Sequence, residues 1–242
     1  MKYNITSHTM KHLVLTCLLF VHLPAYAQQE PKKTRTCRII FPERPQDAPT
    51  EAYIFDGKTS QKASLPNLNF SEVIELPLGE ITIYLTPNAI DDPKVFPEGA
   101  PSVSIPADQT ELYFLIFSDP KNKLLPIRIQ SVNIDKNEFK VGETMWFNFT
   151  NRKIAAKLGE TEFLIDPKKR GISKTPMAQS GYYLAQFAYK EVTDTEYSPI
   201  MKKSWWHDEF SKNLGFVIDA GDRLPKIYTF RDRRSAEAKP DN

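Results

Sequence analysis

Apolar and polar residues alternate with a period of two along much of this chain. Ile81-Thr82-Ile83-Tyr84-Leu85, Val103-Ser104-Ile105 and Ile127-Arg128-Ile129-Gln130 are the cleanest runs. A strand points successive side chains to opposite faces, so such a run buries one face and wets the other. The runs are short and rich in Ile, Val, Phe, Tyr and Thr, which fit a pleated, half-buried surface. They predict strands at 38–41, 51–56, 72–76, 80–86, 102–105, 111–117, 127–133, 143–150, 162–165, 182–189, 214–219 and 226–230. No long helical period runs without Pro or Gly, and the 19 prolines punctuate the strand boundaries, as suits a sandwich rather than a helical bundle. The expected fold is all-β and immunoglobulin-like, as two tandem β-sandwich domains or one elaborated sandwich.

A weak internal echo favours two domains. Residues 111–129 read as an apolar strand, Asp119-Pro120, Leu125-Pro126 and a second strand; residues 214–229 read as an apolar strand, Asp219, Leu224-Pro225 and a second strand. Each resembles a closing hairpin. Duplication would explain the echo, as would the general likeness of any two hairpins. With the seam placed within 118–130, the domains are 37–125 and 126–232. They are flanked by the polar segments 28–36 and 233–242, read as disordered.

The first residues read as a targeting segment. Lys11 and His12 precede the apolar run 13–21, then Pro24 and Ala25-Tyr26-Ala27, a small-residue cleavage signal. The run is too short to span a bilayer, which takes about 20 residues. Cleavage would leave a mature chain from Gln28, and either Met1 or Met10 serves as the start. Thr16 is not the small residue that precedes a lipidated cysteine, so Cys17 is not read as a lipobox. The expectation is an exported protein, periplasmic or at the cell surface, with no transmembrane span.

Removing that segment changes the chemistry on offer. Lys2 and Lys11 are its only charged residues, and their loss leaves basic and acidic side chains equal in number. Bulk charge then implies no nucleic-acid partner. His8, His12, His22 and Cys17 leave too, so His207 and Cys37 remain alone. A tetrahedral zinc site needs three or four Cys/His ligands. No internal disulfide can form, and a buried thiol is the expected state of Cys37. His207 lies in Trp205-Trp206-His207-Asp208-Glu209, where strand neighbours point apart, and no G-x-S-x-G elbow offers a serine. The reading is no catalytic residue, no metal and no cofactor. Acidic residues such as Asp91, Asp92, Asp108 and Asp222 leave a carboxylate-dependent hydrolase or a calcium site as alternatives, without the D-x-D-x-D-G spacing. Solvated turns are the ordinary explanation.

Aromatic residues carry the binding expectation. Trp205 and Trp206 are consecutive, as are Tyr182 and Tyr183. On a strand, one of each pair must face away from the other. Tryptophans are highly buried on average, so burial of both, one in the core and one at a domain seam, is expected; an exposed one would stack sugars or anchor a protein. The candidate binding residues are Trp205, Trp206 and Tyr183. The basic clusters 168–170, 202–203 and 231–234 are read as solvated turns and tail. Asn69-Phe70-Ser71 and Asn148-Phe149-Thr150 match the glycosylation sequon.

The second half resembles a group of uncharacterised exported bacterial β-proteins. The likeness rests on Trp146-Phe147-Asn148-Phe149-Thr150, Lys157-Leu158-Gly159, Phe163-Leu164-Ile165-Asp166-Pro167, Gly181-Tyr182-Tyr183, Ser204-Trp205 and Gly215-Phe216-Val217-Ile218. It covers 140–232 and implies an envelope location and a β fold, but no activity. The functional expectation is a non-catalytic interaction or scaffolding module of the cell envelope, pilus- or secretion-associated, with an envelope protein or a second copy as partner. A carbohydrate-binding module using exposed tryptophan, with a glycan partner, is the first alternative.

Overall fold

The computed structural model describes residues 34–135, 137–191, 193–221 and 224–233; the segment read as a targeting signal, Asp222 and the residues after Arg233 lie outside them. The described residues form sixteen strands and no helix, so none has a helix long and apolar enough to cross a membrane. The first eight are β1 (Arg35–Ile40), β2 (Glu51–Phe55), β3 (Ser60–Ser64), β4 (Ile74–Leu76), β5 (Ile81–Thr86), β6 (Ser102–Ile105), β7 (Glu111–Ser118) and β8 (Ile127–Asn133). The second eight are β9 (Thr144–Asn148), β10 (Lys153–Leu158), β11 (Thr161–Ile165), β12 (Arg170–Ser173), β13 (Gly181–Lys190), β14 (Ser198–His207), β15 (Ser211–Ile218) and β16 (Lys226–Arg233).

Each set of eight builds a two-sheet sandwich, and the two share one strand order. The first pairs β4-β1-β7-β8 as an inner sheet with β3-β2-β5-β6 as an outer one. Adding eight to every number gives the second: β12-β9-β15-β16 inner and β11-β10-β13-β14 outer. The correspondence extends to direction, since β1 runs parallel to β7 and β9 parallel to β15. The echoing segments are the β7–β8 and β15–β16 hairpins, which hold the same place in each sandwich. The immunoglobulin order is not used. There the first two strands share a sheet, whereas β1 and β2 lie in opposite sheets.

The two inner sheets pack back to back, giving four layers. Cys37, Ile39, Leu112, Phe114 and Ile116 point into an aliphatic core shared with Ile54, Ile83 and Leu85 of the outer sheet. Their neighbours Ile40, Tyr113 and Leu115 point the other way, onto Met145, Phe147, Leu214, Phe216 and Phe230. Trp146 and Val217 face a third core with Ile154, Leu158, Ala185 and Phe187. A sheet covered on both faces has no wet side, so β7 has five successive buried residues and β9 is buried throughout.

Polar groups cross the junction in pairs. Asp232 of β16 is fully buried, accepts a hydrogen bond from the Tyr113 hydroxyl and is ion-paired with Arg38. Lys212 of β15 is buried too; its ammonium donates to the Ile134 carbonyl and lies 3.6 Å from Glu111. Burying such charges is tolerable only when they are paired and hydrogen-bonded.

Three boundaries differ from expectation. The strand 127–133, assigned from sequence to the second domain, pairs with β7 along its whole length; the seam falls after Asn133. Arg35 and Thr36, expected to lie in a disordered segment, open β1 instead. Arg35 is fully buried and donates to the carbonyls of Gln109, Pro77 and Pro106 at 2.7, 2.8 and 2.8 Å. Sequence patterning also missed β3, β10, β12 and β14; the first three are polar, Ala-rich or very short runs that carry little strand signal.

Candidate functional site

Each sandwich has one side where two edge strands face each other across the layers: β6 and β8 in the first, β14 and β16 in the second. In the first, the two strands approach within 8 Å between Cα atoms. In the second, a cleft of about 470 Å³ opens between them. Tyr183, Trp205 and Trp206 all line it, together with Asn213, Thr229 and Arg231. Trp146 forms part of its floor, and Leu68 and Asn69 reach its rim from the loop between β3 and β4. Both sandwiches therefore contribute to one site.

The register of β13 against β14 creates the aromatic arrangement. Tyr182 lies opposite Trp206, and Tyr183 opposite Trp205. The inward pair, Tyr183 and Trp205, meets edge to face at 6.5 Å and 85°. Trp205 also lies 6.4 Å from Trp146 in a stacked arrangement and 5.5 Å from Phe187, so it joins the core and the cleft. The outward pair, Tyr182 and Trp206, meets at 5.0 Å and 75°. These two stand in solvent, Tyr182 72% and Trp206 45% exposed. The expectation that both tryptophans are buried is therefore corrected: Trp205 is half-buried and Trp206 is exposed, because none of the described residues covers the outer face of the outer sheet at this point.

Trp146 explains the floor. Its indole N–H donates to Ser173 Oγ at 3.0 Å. On the adjacent strand, a Cβ on Gly215 would sit 2.1 Å from the ring, so only glycine makes room.

The polar lining has a defined electrostatic character. Burial pushes the Tyr183 phenol up to about 12, with the Arg231 charge opposing it; the hydroxyl is neutral near pH 7 and free to donate or accept. Arg231 is exposed, and its Nη2 donates to the Trp206 carbonyl at 2.9 Å. Among the described residues it forms no ion pair. Sequence had placed Arg231 in a solvated tail; it belongs to β16 and to the cleft. His207 is buried with Nε2 3.1 Å from Thr175 Oγ1. Burial lowers its pKa, and the neighbouring Asp208 and Glu209 charges oppose that.

Other residues singled out in the sequence lie apart. Cys37 is in the first sandwich's core, and burial drives its thiol up to about 12; such a thiol is a weak nucleophile, and His207 is in the other sandwich. Asp91 and Asp92 are exposed, with the Asp92 carboxylate accepting the Lys94 N–H at 2.9 Å in a turn. Among the described residues no three His, Cys, Asp or Glu gather as a metal site. Asn148, in one sequon, is buried. Its amide nitrogen donates to the carbonyls of Arg152, Ile165 and Asp166, and its oxygen accepts from the Thr150 amide and hydroxyl. That sequon is a structural knot where β9 passes to β10.

Asn213, Thr229 and Leu68 carried no local sequence signal, and Arg231 and Asn69 stood out only as part of a basic cluster and a sequon, since distant segments bring them together. No protein-family model matches the chain, and no curated protein sequence matches it either.

Proposed function

We propose that this chain is a non-catalytic binding module of the bacterial cell envelope, exported by its N-terminal segment, and that it takes a saccharide in the cleft between β14 and β16. The observation that carries this reading is the convergence of Tyr183 and Trp205 with hydroxyl, amide and guanidinium groups around one open space. Aromatic faces accept the C–H face of a sugar ring, and convergent polar groups bond its hydroxyls. Trp205 is already locked by Trp146 and Phe187, so little rotamer freedom remains to be lost on binding.

Tryptophan emission during titration with neutral and acidic oligosaccharides tests this. Saturable change that is abolished in Trp205→Ala and weakened in Tyr183→Phe supports the reading. A wild-type protein that binds neither class refutes it.

A protein partner is the second reading, and a separate surface favours it. The outer face of the β11-β10-β13-β14 sheet carries exposed Leu164 and Leu184 beside Tyr182 and Trp206. A groove of about 800 Å³ there has Ala155 and Ala188 in its lining, with Lys157, Glu162 and Lys202 around them. Contiguous exposed apolar surface with a polar surround is the form of an interaction site. The edge itself is guarded: β14 carries Pro199, Lys202 and Lys203 and a register break opposite Phe187 and Ala188, which discourages strand addition and leaves face-on docking.

A further inference from the structure

We propose that the saccharide bound in the cleft is an acidic one, and that Arg231 pairs with its carboxylate. This rests on the saccharide reading above and adds the charge of the ligand.

Arg231 is anchored and available at once. One arm of its guanidinium is held by the Trp206 carbonyl at 2.9 Å, which ties β16 to β14 across the mouth of the cleft. A guanidinium has five N–H donors, so most remain for a ligand. Among the described residues no carboxylate forms an ion pair with Arg231, although other arginines of this sandwich are so engaged: Arg152 lies 2.5 Å from Glu191 and Arg233 lies 3.8 Å from Asp208. An anchored guanidinium has lost part of its side-chain freedom before any ligand arrives, and its planar fork matches a carboxylate bidentately. Its field reaches the Tyr183 phenol, whereas at His207 the Asp208 and Glu209 charges outweigh it. Among the described residues no acidic side chain lines the cleft to repel an anion.

The neighbours suit a sugar acid better than a bare anion. Tyr183 and Trp205 give flat apolar surface, and Asn213 and Thr229 give groups for ring hydroxyls. A uronic acid presents both features on one ring: a C–H face to stack and a carboxylate in the ring plane. A simple anion would use Arg231 and leave the aromatic surface idle.

The test is binding of an oligouronate against a neutral hexose oligomer of the same linkage and length, by calorimetry and tryptophan emission on residues 28–242. The expected result is acid preferred by about tenfold or more, the scale of hydrogen bonds to a charged group, with the preference shrinking as salt rises. Arg231→Gln should erase the preference, costing the acidic oligomer far more affinity than the neutral one. Arg231→Lys should recover part of it, since an ammonium is a point charge without the fork. A double variant, K202Q/K203Q, removes positive charge from the same edge strand outside the cleft and should leave the preference intact. Equal binding of the two oligomers, or a preference that survives Arg231→Gln or falls equally in the double variant, overturns the role of Arg231 while the saccharide reading stands. Failure of both oligomers to bind wild type removes that reading and this one together.

Discussion

The two sandwiches share every strand pairing and differ in what fills them. On the corresponding strand pairs, β1 with β7 and β9 with β15, the first has Cys37 opposite Leu112 and the second has Trp146 opposite Gly215. The first core is mostly aliphatic, with Phe41 and Phe114 among its members, and β6 and β8 approach at its edge. The second core is built on indoles: Trp146 fills the space left by Gly215, and Trp205 stacks on it toward the edge. The strand order repeats, whereas the rings that line the matching edge are found in the second sandwich alone among the described residues.

The sharpest test of that contrast is truncation at the matched pair. Trp146→Ala should cost about 3–5 kcal/mol of unfolding free energy, and Cys37→Ala about 1 kcal/mol, on the scale of one buried methylene. Guanidinium denaturation followed by far-UV circular dichroism checks both, and equal losses would break the comparison. Of similar size is the effect of Asp232→Ala at the junction. It strips the acceptor from Tyr113 and Arg38, and breaking a buried pair costs about 3–5 kcal/mol. Because the junction holds both sandwiches, a single transition at lower denaturant is expected; two separated transitions would show that each sandwich stands alone.

Gly215→Ala comes next. The added methyl meets the Trp146 ring, and overpacking of this kind costs about 1–3 kcal/mol. The same substitution at Gly171, where a Cβ meets open space, should be nearly silent. Acrylamide quenching of single Trp→Phe variants then sharpens the two-faced strand: Trp206 should be quenched freely, Trp146 protected and Trp205 intermediate. A protected Trp206 would mean that the outer face is covered in solution.

The smallest effect is on pH. His207 has its pKa lowered in the folded state from 6.5, so the unfolded chain binds more protons as the pH falls below that value. Its contribution to stability is thus present above about pH 6.5 and lost as pH falls toward the folded pKa. Denaturation midpoints at pH 7.5 and 5.5 should differ more for wild type than for His207→Gln. An unchanged difference would remove His207 as its source.

Much of the local structure was legible. Alternation located Ile81–Thr86, Ser102–Ile105 and Ile127–Asn133 nearly to the residue, because facing is a local property of a strand. The aromatic dipeptides at 182–183 and 205–206 announced two-faced strands for the same reason. The runs Leu112-Tyr113-Phe114-Leu115-Ile116 and Met145-Trp146-Phe147 carried a further message, burial on both faces, which marks the inner sheets once the four layers are known.

The sequence by itself thus determined the class of fold, the faces of its strands and the aromatic half of the candidate site. Strand order, the seam after Asn133, the exposure of Trp206 and the arrival of Arg231 beside Tyr183 were decided by tertiary structure. The physical reason is range: a side chain's direction follows from its own backbone, whereas its neighbours across a sheet or a cleft come from segments tens of residues away, joined only when burial of both faces selects one packing among many.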